Sequence, residues 1–155
     1  LHETLHRSND LSRIKMGDYT RTLTGHLFRS YGVDPGLISL ELNVDDVEFD
    51  IDTGLTCGLI IDELVSNCLK HAFVDNGHGT VHIDLLDHVD GTFSLCVSDD
   101  GIGIPTDGVL NNPDSLGLEL VSLVAEKLDG KTELRSGSGT EWRIRFQQLQ
   151  YSERV

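Results

Sequence analysis

Positive charge is scarce in this chain. Twelve Lys and Arg stand against 26 Asp and Glu, for a net charge of −14 at neutral pH. A sequence-independent grip on nucleic acid relies on cations, so this balance disfavours it. Long apolar runs are missing too. None approaches the roughly 18 residues of a membrane helix, and the longest, Gly58 to Ile61, stops at Asp62. Leu1 to Asp10 carries charges and histidines where the apolar core of a secretory signal would sit. The chain is therefore expected in the cytoplasm, with no membrane contact of its own. Cysteine is limited to Cys57, Cys68 and Cys96, an odd number without a C-x-x-C pair. That spacing argues against a zinc site. Cys68 and Cys96 lie among apolar neighbours and read as small buried residues in a reducing compartment. The phosphate-binding sequence G-x-x-x-x-G-K-[ST] is absent, and no dinucleotide fingerprint has its third glycine.

What is present suits one globular domain: 155 residues, 38% hydrophobic and 25% charged. Leu1 to Ser8 reads as the tail of a helix and Asn9 to Gly17 as a connector. Asp18 is the expected N-cap of a helix running to about Tyr31, stopped by Gly32 ahead of a Pro35-Gly36 turn. Ile38, Leu40, Leu42 and Val44 alternate with polar residues and predict a half-buried strand. Asp45 to Asp52 reads as a turn plus a short strand, and Thr53 to Phe73 as the strongest helix. Strands are expected at Thr80 to Leu86 and Thr92 to Ser98, joined at Asp90-Gly91. Asp99 to Ser115 is a long aperiodic loop, the kind that is usually functional in a compact domain. A helix at Leu116 to Leu128 ends at Asp129-Gly130. Lys131 to Ser136 and Glu141 to Phe146 close the domain as a hairpin, and Tyr151 to Val155 is a polar tail. Helices beside a partly antiparallel sheet indicate an α/β layer pair.

Two segments carry chemistry. Leu59 to Phe73 reads LIIDELVSNCLKHAF. At about 100° per residue, Glu63, Asn67, Lys70 and His71 share one part of the helix circumference. Any amphipathic helix needs a polar stripe. This one combines a carboxylate, an amide and two cationic or basic groups, which is what phosphates with a hard metal ion require. Leu95 to Pro105 reads LCVSDDGIGIP, a strand running into Asp99 and then Gly101 and Gly103. A strand-end aspartate can accept from an adenine amino group, and glycines let a backbone approach a ligand closely or simply make a tight turn. Ser115 to Leu118 opens a helix, whose N-terminal amides suit an anion, although an ordinary loop-to-helix junction has the same sequence. Gly137 to Thr140 reads equally well as a hairpin turn.

In combination these segments resemble the GHKL ATPase superfamily of gyrase, Hsp90, histidine kinases and MutL. IIDELVSNCLKHAF resembles its N box, VSDDGIGIP its first glycine box, SLGLELV its second, and GSGTEWRIRF its closing strand pair. The match is strongest to the histidine-kinase branch, specifically HWE-like kinases, which LFRSYGV and the early LHETLHRS also resemble. The resemblance implies a Bergerat-type two-layer sandwich, a mixed, mostly antiparallel sheet with helices packed on one face. ATP would lie between the N-box helix and a lid. It further implies that Glu63 is the catalytic polar group, that Asn67 holds Mg²⁺, and that Lys70 and His71 lie near the phosphates. Asp99 would contact adenine, with Gly101 and Gly103 shaping that wall, Gly117 and Leu118 at the lid hinge and Thr140 near the base. Asp62, Cys68 and Asp100 depart from the usual pattern, where asparagine, alanine and asparagine are common.

The implied enzyme is a protein histidine kinase of a two-component system, with ATP and Mg²⁺ as cofactors. Residues 1–17 would be the end of a dimerisation helix and its linker, 18–149 the ATP-binding catalytic domain, and 150–155 a tail. Only about 15 residues separate His2 from the first helix, too few for a two-helix hairpin. The phosphoacceptor histidine is therefore placed upstream, in a hairpin this chain lacks. The implied partners are that hairpin, a response regulator and a second copy of the parent protein. The alternatives are an anti-sigma-factor-type serine kinase, which shares the same motifs, and a nucleotide-binding interaction module without turnover.

Overall fold

The computed structural model describes residues 13–72, 78–101, 122, 125–136 and 139–147. Seven strands and two helices alternate along them: β1 (Arg13–Lys15), α1 (Met16–Ser30), β2 (Ile38–Val44), β3 (Glu48–Asp50), α2 (Ile51–Asn67), β4 (Gly79–Asp87), β5 (Thr92–Asp99), β6 (Lys131–Ser136) and β7 (Thr140–Gln147). A π-helical turn, Cys68–Ala72, continues α2. Residues 125–127 are helical and close in a turn at 128–129, at the C-terminal end of the helix expected from Leu116.

Five strands form one sheet in the order β2-β4-β5-β7-β6. β2 and β4 are parallel, and the other three pairs are antiparallel. Alternation along the strands decides which face is covered. Val81, Ile83 and Leu85 of β4, Leu95 and Val97 of β5, and Trp142, Ile144 and Phe146 of β7 are buried together with Ile60, Ile61, Leu64 and Val65 of α2. The intervening residues, such as His82, Asp84, Arg143 and Arg145, point to the opposite face, as the period of two requires. The expected layered sandwich is thus observed, with a mixed, mostly antiparallel sheet.

The elements start differently from the expectation at two places. α1 begins at Met16, not after Asp18, and its N-cap Lys15 makes no side-chain cap. The Met16 amide instead donates to the Val47 carbonyl at 3.0 Å, so neighbouring backbone does what a capping side chain usually does. Asp18 sits in the first turn and pairs with Arg21 at 3.3 Å. α2 begins two residues earlier than expected, because Asp50 is its N-cap. Asp50 accepts from the Thr53 amide at 3.3 Å and from its hydroxyl at 2.6 Å.

The stretch read as a connector contains β1, which pairs with β3 in a separate two-stranded ribbon: Arg13 with Asp50, Ile14 with Phe49, Lys15 with Glu48. Glycines let this ribbon and α1 sit close to α2. A Cβ at Gly54 would lie 2.6 Å from Ile14 Cδ1, and one at Gly58 would overlap the Tyr19 hydroxyl at 2.2 Å. Phe49 meets Phe93 edge-on at 4.8 Å and Phe146 at 5.9 Å, so aromatic packing anchors β3 to the central sheet. Among the described residues, no helix is long and apolar enough to cross a membrane.

Candidate nucleotide site

The site lies where the C-terminal end of α2 meets the ends of β5 and β7. Glu63 and Asn67 are four apart on α2, one turn above the other, and both are half-buried. Neither makes a hydrogen bond or ion pair with another described residue. Ser66 beside them donates to Asp62 at 3.2 Å, which removes that serine from the set of free donors. The π turn then widens the helix at Cys68–Ala72. Such widenings occur often at functional positions because they re-aim side chains. Lys70 is exposed there, and its Nζ stands 5.9 Å from the centre of the Tyr31 ring. The side chain of His71 lies outside the described residues.

Asp99 ends β5 and is 8% exposed. Its two oxygens have different partners. Oδ1 accepts from the Gly101 amide at 2.9 Å, and Oδ2 accepts from the Cys68 thiol at 3.2 Å. The second contact joins residues 31 positions apart and seats the strand end against the first residue of the π turn. Cys68 follows Asn67 directly in the chain, so the end of the helix that carries Asn67 is tied to the strand end that carries Asp99 and Gly101. Burial, and then the adjacent Asp99 carboxylate, push the Cys68 thiol well above its ordinary range. It stays protonated and able to donate.

Across the sheet, Asp99 stands in register with Val81 on one side and Thr140 on the other. Thr140 is 5% exposed, and its hydroxyl has no hydrogen-bond partner among the described residues. An unpaired buried hydroxyl is costly, and one beside a carboxylate fits the polar edge of a base. Gly139 has φ +141°, and a Cβ there would lie 2.1 Å from the Asp99 carbonyl oxygen. The sequence Gly137 to Thr140 was readable as a hairpin turn alone. Gly139 has the additional role of letting β7 start directly against the strand end that carries Asp99. Asp100 turns away from Asp99: its Oδ1 accepts from the Thr80 amide at 2.8 Å, tying the loop to β4.

Of the expected site residues, Asp99, Gly101 and Thr140 meet at one end of the sheet, and Asn67 adjoins Cys68, whose thiol reaches Asp99; Glu63 lies one turn before Asn67 on α2 and Lys70 in the π turn, beside Tyr31. Gly103, Gly117 and Leu118 lie outside the described residues. Cys68 was legible only as a departure from a common alanine, and its contact with Asp99 had no signal in the sequence. A surface depression lined by Thr92, Asp129, Lys131 and Arg145 lies at the other end of β5 and takes no part here.

Residues 54–150 match the family of histidine kinase-, DNA gyrase B- and HSP90-like ATPases. The chain belongs to this family. A blue-light-activated histidine kinase of Erythrobacter litoralis (strain HTCC2594) is 31% identical over 106 residues, which cover 68% of this chain and 31% of that protein. The solved histidine kinase domain of the Erythrobacter litoralis EL346 blue-light activated kinase superimposes with a TM-score of 0.78 at 27% identity, over 87% of this chain and 62% of that one. An anti-sigma F factor of Priestia megaterium is 38% identical over 45 residues, 29% of this chain and 31% of that protein. The chain therefore spans under a third of the length of the blue-light kinase it matches. The family and fold expected from the motifs are those found.

Proposed function

We propose that this chain is the ATP-binding catalytic domain of a sensor histidine kinase, passing the γ-phosphoryl group of Mg²⁺-ATP to a histidine held outside it. The observation that carries the reading is the 3.2 Å contact between Cys68 and Asp99. It sets the C-terminal end of α2 beside a buried strand-end carboxylate, next to a buried hydroxyl that no described residue partners. In this reading Asp99 and Thr140 receive the adenine edge, and Gly101 and Gly103 shape the wall beside it. The Asn67 amide oxygen is a hard ligand of the kind Mg²⁺ takes. Bound there, the ion would neutralise phosphate charge. Lys70 and His71 face phosphate oxygens, Gly117 and Leu118 hinge the lid, and Glu63 is the polar catalytic group at the reacting end.

These residues bind, orient and balance charge, which is most of what phosphoryl transfer asks of a protein. Their balance also addresses how a chain of net charge −14 takes an anion: a local set of amides, one lysine and a metal, rather than the global field. The acceptor hairpin, a response regulator, a homodimeric parent and a cytoplasmic location complete the proposal, as does a chain order with a linker through residue 17 and the catalytic domain from 18 to 149.

The test is a titration of ATP into the chain, with and without Mg²⁺, beside Asn67→Ala and Asp99→Ala. Both variants are expected to bind at least tenfold more weakly in Mg²⁺, about 1.4 kcal/mol or more. Wild-type affinity in both would refute the site. The match to an anti-sigma F factor favours a second reading, a serine kinase acting on a partner protein. Phosphate transfer to a supplied acceptor hairpin rather than to a protein serine decides between them, and tight binding without any transfer would indicate an interaction module.

A further inference from the structure

We propose that Cys68 is a positioning residue for base recognition: its thiol fixes the Asp99 carboxylate in the orientation that selects an adenine over a guanine nucleotide. The proposal rests on the nucleotide site argued above and adds to it a residue and a selectivity.

Asp99 is held by only two described donors, one per oxygen, the Gly101 amide and the Cys68 thiol. Donors on both oxygens fix the plane of a carboxylate. Each oxygen can accept twice, so a lone pair remains on each for a ligand. The Gly101 contact is local, two residues along the chain, and would follow Asp99 in any movement. The Cys68 contact crosses from helix to sheet and relates the carboxylate to the helix that carries Asn67. A side chain ending at Cβ in this place would leave Oδ2 without a described donor. The thiol meets Oδ2 directly at 3.2 Å, and Cys68 is itself buried.

Thr140 supplies the second observation. Its hydroxyl is buried and unpartnered among the described residues, and it stands directly across β5 and β7 from Asp99. A hydroxyl both donates and accepts, while an ionised carboxylate only accepts. Together they present an edge that welcomes an exocyclic amino group and repels a carbonyl oxygen at the same point. That is the difference between adenine and guanine on this edge. The discrimination depends on the carboxylate being fixed, because a free one could rotate away from the carbonyl.

The experiment is a double-mutant cycle on the whole chain, reading ATP and GTP dissociation constants by calorimetry for wild type, Cys68→Ala, Asp99→Ala and the double variant, with Cys68→Ser as the rescue. Melting curves confirm folding, and Asp99→Asn substitutes for Asp99→Ala if the latter does not fold. Cys68→Ala is expected to weaken ATP about three- to tenfold, the range of one net hydrogen bond, and to leave GTP nearly unchanged. Cys68→Ser should restore the ATP preference, since its hydroxyl donates. With Asp99 already removed, Cys68→Ala should have almost no further effect. An equal loss in both backgrounds, or an equal loss for ATP and GTP, would show that Cys68 acts through packing alone and would overturn the proposal. So would unchanged ATP binding by Cys68→Ala. The nucleotide site itself would still stand if Asp99→Ala weakened binding, and would fall with the proposal if it did not.

Discussion

Replacing Gly139 with alanine separates two costs that the structure places at one residue. The first is conformational. Gly139 sits at φ +141°, where L side chains are strained by on the order of 1–3 kcal/mol. The second is steric. The new Cβ would lie 2.1 Å from the Asp99 carbonyl oxygen and 3.1 Å from the Asp100 Cα. Ordinary contact is well over an ångström longer than the first distance. The opposing atom is backbone, in a strand hydrogen-bonded on both sides by β4 and β7, so it cannot swing aside as a flexible side chain would. Overpacking of that kind typically costs about 1–3 kcal/mol. Gly139→Ala should therefore lose at least about 2 kcal/mol. At about 2–4 °C per kcal/mol for a chain of this size, the melting point should fall by about 4–8 °C or more. ATP affinity should drop in the same variant, because the strain falls on the strand ends that hold Asp99 and Thr140. Gly32→Ala is the control: φ is +62° and nothing lies within 4 Å of the added Cβ, so only a backbone cost of about 1–2 kcal/mol applies. Calorimetric melting and urea titration of both variants give the comparison. Equal losses in the two, or a Gly139→Ala loss below about 1 kcal/mol, would show that the close approach to Asp99 is not a constraint.

Further expectations concern the scaffold. Phe49→Ala removes the centre of the aromatic trio with Phe93 and Phe146 and should cost about 3–5 kcal/mol in urea unfolding; a loss under about 1 kcal/mol would mean the ribbon is not held by these rings. Asp50→Ala deletes the cap of α2 and should cost about 1 kcal/mol, with Asp50→Asn recovering most of it; equal stability of all three would contradict the capping assignment. Burial, and then Asp50, push the Cys57 thiol up to about 12. The unfolded thiol ionises near its ordinary value, so above about pH 9 the unfolded chain binds fewer protons than the native one. Stability should then be full below that pH and fall by up to about 1.4 kcal/mol per pH unit between about 9 and 12. Melting of wild type and Cys57→Ala at pH 8 and pH 10 measures this thiol's share, and parallel pH dependences would refute it.

Local patterns were readable because their physics is local. The alternation from Ile38 to Val44 gave the observed β2 without change of bounds, and the apolar stripe around Ile60, Ile61, Leu64 and Val65 gave the core face of α2. β1 escaped notice because three residues, Arg13 to Lys15, are too short to show a period; they become a strand only by pairing with the distant Glu48–Asp50. The start of α1 escaped because its first amide is satisfied by Val47 rather than by a side chain that the sequence could advertise. No residue pattern announces a π turn, so Cys68–Ala72 read as ordinary helix. At the site, residue types were legible but neighbourhood was not. Glu63 and Asn67 share a helix face by spacing alone, whereas the meeting of Cys68 with Asp99, and of Gly139 with the Asp99 backbone, depends on how helix and sheet pack.

The small ribbon at the start of the described chain has a mechanical meaning. Arg13 is bonded to Asp50, Ile14 rests on Gly54, and Asp50 is itself the first grip on α2. Among the described residues, β1 is thus coupled both through β3 and directly to the rod that bears Glu63 and Asn67. Displacing Arg13–Lys15 would therefore disturb the first turn of that rod directly.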